Sequence, residues 1–444
     1  IGYRAGLDLS TGTNSVFLGG ESGFEATTNV GSVFLGYQAG KNTKGDYHYN
    51  IAIGMQSLSS AHTGAGTIAI GYKSAEALTS GASNIAIGYQ ALKTHTTGAS
   101  NIAIGYGAMD DTDAGSNSLG SGHNTFIGLD SGGGTWADTA SQYNVAVGNY
   151  TMRLALNGAN GNVALGYYSL SSITSGDYNI ALGQGALANL TTAGENISIG
   201  HNAMNVHTTG TRNIVIGDEA MDDTDAGSTS LSSENNIFIG HDAGGGTWAD
   251  AASNYNVAIG NLSMDAAMNG ALFNTAIGHN ALGALTTGDY NTVAGASSGT
   301  ALPTGTQNTL LGYTAGYSMT SGSNNTAIGN AALYTSRGSN NNVAIGQAAG
   351  KNITTGASNI LLGYKAGFAQ KTQSNAIAIG YEAMGGTAGT NEGYDIAIGF
   401  RSMFNAMDGA NGTALGNSAL ENLVGGYTAA VGGEAGRYAS GSYN

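Results

Sequence analysis

Residues 84–100 read NIAIGYQALKTHTTGAS, and Asn101 to Gly105 open the same phrase again. The phrase returns about every 17 residues, its closing glycine falling at Gly19, Gly36, Gly54, Gly71, Gly88 and Gly105, and later from Gly278 through Gly295, Gly312, Gly329, Gly346 and Gly363 to Gly380. A short fixed period means one small structural unit per repeat, stacked on its neighbours. Within the unit, Ile85 and Ile87 alternate with Ala86, which is the period of a strand. Gly88 then allows a sharp corner. Ala91 and Leu92 read as a second short strand with one inward apolar residue, and Thr96-Thr97-Gly98 as the turn back. Seventeen residues are too few for a two-helix repeat, which needs roughly 33–47. The expected fold is all-β, a parallel β-roll or β-solenoid with turns of about 17 residues, continuous over residues 1–444.

Each phrase opens on an asparagine, as at Asn50, Asn84, Asn101, Asn124, Asn144, Asn162 and Asn179. These predict either a ladder of stacked, hydrogen-bonded amides or simply a turn residue before each strand. Both strand faces are apolar. One carries Ile, Val or Leu; the other carries Ala, or at some turns Phe17, Phe34, Phe126, Phe238, Leu310 or Leu361. A strand apolar on both sides has to be covered on both. The small Ala face is expected to lie at a symmetry axis between parallel copies, with the Ile/Val/Leu face inside the roll. At a strand spacing of about 4.8 Å, about 25 phrases predict a rod on the order of 120 Å long.

Composition narrows the function. There are 75 glycines but one proline, which excludes collagen. Charged residues are 9% and hydrophobic ones 41%, which favours a packed chain over a disordered one. The net charge is −15, and the 13 Lys and Arg form no basic stripe, so nucleic acid is not an expected partner. No apolar run approaches the length of a membrane-spanning helix. The absence of cysteine excludes disulfides and thiolate metal sites. Ile1 is not a start methionine, and Ile1-Gly2 is the tail of a phrase. The expectation is a piece of a longer polypeptide, with any leader or anchor outside it.

Function is expected where the period breaks. The interval lengthens to 23 residues from Gly105 to Gly128 and to 20 from Gly128 to Gly148, and both lengths recur from Gly217 to Gly240 and Gly240 to Gly260. These intervals mark an internal duplication of about 84–195 onto 196–307, with loops inserted at 106–127, 129–147, 218–239 and 241–259. Insertions in a solenoid map to loops on one face. Asp110, Asp111 and Asp113, and their duplicates Asp222, Asp223 and Asp225, supply oxygen ligands suited to Ca²⁺, although the closing Glu of a full twelve-residue Ca²⁺ loop is absent. The other reading is a solvated acidic turn. Trp136 and Trp248 are candidate sugar-stacking platforms, or else fold back over their own loops. Tyr72, Tyr89 and Tyr106, each following a phrase glycine, form an amphipathic stripe that either meets glycans or packs corners. Catalysis finds little support. The eight histidines are scattered, with His95 and His207 duplicates in a Thr-rich turn, and no triad order or Zn-ligand spacing occurs.

The phrases Ser15 to Gly19 and Ser32 to Gly36 (Ser-Val-Phe-Leu-Gly), with Asn-Ile-Ala-Ile-Gly, resemble the head repeats of trimeric autotransporter adhesins. The longer form over Asn84 to Gly105 resembles repeats of phage tail fibres. The resemblance implies a left-handed, homotrimeric β-roll outside the cell, on a virion tail or a cell surface, that attaches to surface polysaccharide. A bacterial adhesin or an extracellular filament subunit is the alternative. An ice-binding role fits less well, because Thr96, Thr97, Thr208 and Thr209 lie in turns, and a polysaccharide lyase would need clustered acids or bases in a groove.

Overall fold

The structure, a computed structural model, describes residues 1–44, 49–111, 120–137, 139–223, 232–386, 394–406, 411–425 and 427–440. Two compact units divide the chain, Ile1–Ile216 and Gly217–Asn444. The first holds strands β1 (Val16–Leu18) to β12 (Ile214–Ile216), the second β13 (Ile237–Ile239) to β24 (Ala429–Val431). Every strand is three residues long. Among the described residues there is no α-helix.

Within each unit, successive strands pair in parallel and like residues stand on like. Ile85, Ala86 and Ile87 lie beside Ile102, Ala103 and Ile104. The register survives the inserted loops, since Ala103 pairs with Phe126 and Phe126 with Ala146. The result is a parallel β-solenoid of roughly 17-residue turns, as the period predicts.

The corner explains the invariant glycine of the phrase. Gly88 has φ +140°, and a Cβ there would lie 2.2 Å from the carbonyl oxygen of Gly105. Beyond it, the expected second strand is replaced by turns. Gln90 and Leu92 both take left-handed backbone, φ 57° and 54°, with Ala91 between them. Gln90 donates its N–H to Tyr72 of the turn before, and Leu92 to Ala108 of the turn after. Left-handed residues outside glycine are costly alone, of order 1–3 kcal/mol. Here Gln90 is tied to the turn before and Leu92 to the turn after, so strand-like ladder bonds form without extended backbone.

The strand faces are placed opposite to the expectation. The middle residue points inward: Ala86, Ala103, Phe126 and Phe238 are buried. The flanking Ile and Val residues are outward and partly exposed. Volume explains the choice. The corner residue Leu92 also points inside, and an interior shared by Leu92 and Ala86 is full. Where Phe34, Phe126 or Phe238 takes the middle position, the corner residue is Gly40, Gly132 or Gly244, and a Cβ there would come within 2.5 to 2.8 Å of the ring. Leu310 and Leu361 face Gly316 and Gly367 in the same way. Large-plus-glycine thus replaces small-plus-Leu at constant interior volume.

The asparagines form the ladder. Asn101 donates its backbone N–H to Asn84 Oδ1 at 2.9 Å, and Asn84 Nδ2 donates to Gly98 O at 2.9 Å. The pattern runs to Asn213 in the first unit and from Asn236 to Asn359 in the second. At its far end Asp395 takes the ladder position, with Gln373 Nε2 donating to its carboxylate at 2.7 Å and Gly412 N–H at 2.8 Å. Burial pushes the Asp395 carboxyl up.

His95 is buried beside this ladder, its Nε2 3.3 Å from Asn101 Nδ2, so a neutral ring accepts there. Burial pushes its pKa from 6.5 down to about 4. The unfolded chain binds more protons between those values. Stability from neutral His95 is therefore complete above about pH 6.5 and is lost as pH falls toward 4, by up to about 3 kcal/mol. The urea midpoint of the wild type is expected to fall across that window, and less steeply in His95→Gln. Parallel pH profiles for the two proteins would refute the assignment.

Candidate functional site

The two inserted loops of the first unit touch, as their consecutive turns require. Trp136 N–H donates to Asp111 O at 3.0 Å, and the Thr135 hydroxyl bonds the Asp111 carboxylate. The duplicate does the same with Trp248, Thr247 and Asp223. Neither indole is a platform. Both are fully buried, donating Nε1–H to Gly132 O at 3.0 Å and Gly244 O at 2.9 Å. Each packs edge-on against a core ring, Phe126 or Phe238, at 5.7 Å. The glycine run before each Trp lets its loop fold over the ring, so no face is left for a sugar.

Of the proposed Ca²⁺ ligands, Asp113 and Asp225 lie outside the described residues. Asp110 faces a cleft of about 440 Å³ with Asp130 and Arg153. Burial, then Asp130 and Asp111, push its carboxyl up to about 6. A guanidinium lining that cleft opposes a divalent cation in the first copy. Asp222 is likewise pushed up to about 6, by burial and then Glu219.

The tyrosine stripe is real but differently built. Tyr72 stacks on Tyr89 at 5.1 Å, and Tyr89 on Tyr106 at 4.9 Å. The ring faces within the ladder are spent on each other, and what solvent meets is edges and hydroxyls. A second ladder escaped the sequence reading. Tyr255, Phe273 and Tyr290, each directly before a phrase asparagine, stack at 4.8 and 5.3 Å with φ near 58°. Its signal was an aromatic residue one place ahead of the phrase.

An open groove was also missed. It runs over four consecutive turns of the first unit, with a volume of about 500 Å³. Arg153 and Tyr167 line one end, Gln184 and Asn189 the middle, Asn202 and Asn205 the other end. Tyr167 stands across Tyr168 at 4.5 Å and 81°, and Tyr168 stacks on Tyr150 at 5.1 Å. Asn205 Nδ2 donates to Asn202 Oδ1 at 2.9 Å, which orients both amides. Neutral amides beside an aromatic corner and one guanidinium can hydrogen-bond a hydroxyl-rich ligand. No family model matches the chain, and no curated protein matches it in sequence.

Proposed function

We propose that the chain is the shaft of an extracellular fibre, a homotrimer that presents a glycan-binding groove and performs no catalysis. The outward strand face is the observation that carries the self-association. Each strand offers two flanking side chains, mostly Ile, Val, Leu or Thr, and the shared register aligns them into two rows. Ile259, Ile277 and Ile345 stand well exposed in this way in the second unit. Rows of that kind form a contiguous apolar surface, which on a soluble protein marks an interaction site. A second copy, with an identical repeat pitch, matches it turn for turn. Three copies rather than two follows from the resemblance to fibre and adhesin repeats. The groove from Arg153 to Asn205 supports glycan attachment through its neutral amides. Among the described residues no helix is long and apolar enough to cross a membrane.

Light scattering tests the reading. The mass is expected near three times 44.2 kDa. The double variant Ile277→Lys, Ile345→Lys is expected to shift it to a single chain, because two charges per copy in a dry apolar interface cost several kcal/mol. A wild-type monomer would sink the proposal.

A further inference from the structure

The duplicated loop regions share backbone, tryptophan and threonine, yet they differ in one consistent direction. In the first copy Tyr106, Gly107, Leu129 and Arg153 occupy positions that the second copy fills with Asp218, Glu219, His241 and Asp265. Asp130 and Asp242 are common to both. The second copy thus lacks the cation and the apolar residue of the first, and carries an imidazole and three carboxylates in their place.

Their placement is compact. The donor atoms of Glu219, His241 and Asp242 all lie within 4.8 Å of one another. His241 Nδ1 is 3.1 Å from Asp242 Oδ2, and Nε2 is 3.9 Å from Asp218 Oδ2. Glu219 and Asp242 are half-buried on neighbouring turns, and the Asp242 N–H donates to Asp218 O at 3.1 Å, which fixes the two turns together. The ligands of a tetrahedral Zn²⁺ ion sit about 3.3 Å apart, so a closure of up to about 1.5 Å, within reach of side-chain rotation on the exposed His241, completes the set.

We propose that Glu219, His241 and Asp242 bind a divalent first-row transition ion such as Zn²⁺, a site present in the second copy and absent from the first. An imidazole with two carboxylates suits Zn²⁺ or Ni²⁺ and not Ca²⁺, which takes oxygen ligands. Asp218 faces the other ring nitrogen, Nε2, and is placed to accept its N–H and so orient the imidazole for a metal at Nδ1. The first copy is the internal control, since Leu129 cannot ligate and Arg153 repels a cation.

Calorimetric titration of ZnCl2 and of CaCl2 into the full chain tests the site, alongside His241→Leu and Glu219→Gly. Each variant installs the residue that the first copy already tolerates on the same backbone. One Zn²⁺ is expected per chain, bound at least about 10-fold more weakly by either variant. The metal-free variants are expected to melt at the wild-type temperature, which separates lost ligation from lost fold. The proposal is overturned by no saturable Zn²⁺ uptake, by uptake unchanged in both variants, or by Ca²⁺ binding as tightly as Zn²⁺. None of these outcomes bears on the oligomeric state.

Discussion

Gly183→Ala is expected to open the first unit at a single turn. The added Cβ would lie 2.2 Å from the carbonyl oxygen of Gly200, on backbone with φ +137°. The opposing atom is main chain, fixed in turn by the Gly200 N–H bond to Leu182 O at 2.9 Å, so no side chain can swing away. Relief requires the two turns to part, and that breaks ladder bonds on both sides of the corner. The cost is expected to exceed about 4 kcal/mol, at the far end of what single substitutions do. Limited proteolysis should then cut near residue 183, with the turns farther away still protected. A variant that melts and resists protease like the wild type would disprove the close approach.

The second large effect is expected within the asparagine ladder. Asn179 is buried and makes bonds in both directions. It donates Nδ2 to Asn162 Oδ1 at 3.0 Å and to Ala193 O at 3.0 Å, and its Oδ1 accepts from the backbone and side chain of Asn196 at 3.1 and 3.2 Å. Asn179→Ala strands the Ala193 carbonyl and the Asn196 donors in a dry interior. At about 1–3 kcal/mol per orphaned group, a loss of about 3–5 kcal/mol is expected in urea unfolding, with the Asn196 amide exchanging faster by at least about 100-fold. Asn179→Asp is expected to rescue little at neutral pH. A buried carboxylate keeps the acceptor and loses the donor. At the natural acid Asp395 the penalty is reduced, because Gln373 Nε2 and the Gly412 N–H both donate to the carboxylate. Unchanged exchange at Asn196 in Asn179→Ala would show that the ladder bonds carry no weight.

Much of the fold is legible because one phrase carries three separate constraints. Asn84 marks the ladder, Ile85 to Ile87 the strand, and Gly88 a corner that only glycine can occupy. Which strand face lies inside is not legible from Ile-Ala-Ile, since both faces are apolar and either can be buried. The deciding information sits four residues past the phrase glycine. Phe34 goes with Gly40, Phe126 with Gly132 and Phe238 with Gly244, a volume exchange that makes sense only if both positions share one interior. The corner reads as a strand because Leu92 follows Ala91 with ordinary strand composition, and nothing in Gln90 or Leu92 announces left-handed backbone. Glycines at the equivalent places, such as Gly40 and Gly107, are the only hint.

The candidate site is less legible. Trp136 and Trp248 look like surface features because they are rare and sit in inserted loops, yet their burial is decided by the rings they meet in the core. The groove is assembled from Arg153, Gln184, Asn189 and Asn205, single residues on separate turns that have no shared motif in the chain. Glu219 and His241 lie 22 residues apart, and only the stacking of one turn on the next makes them neighbours.

The strict like-on-like register has a consequence for length. Ile85 sits on Ile102 as Ile180 sits on Ile197, so the upper surface of nearly any regular turn fits the lower surface of nearly any other. Excising one period joins two matching seams, and copying one inserts a turn that both neighbours accept. Such a molecule has a fixed step and no intrinsic end point. Its reach is therefore a genetic setting, counted in whole turns, and recombination between repeats can change that count without asking the fold to be invented again.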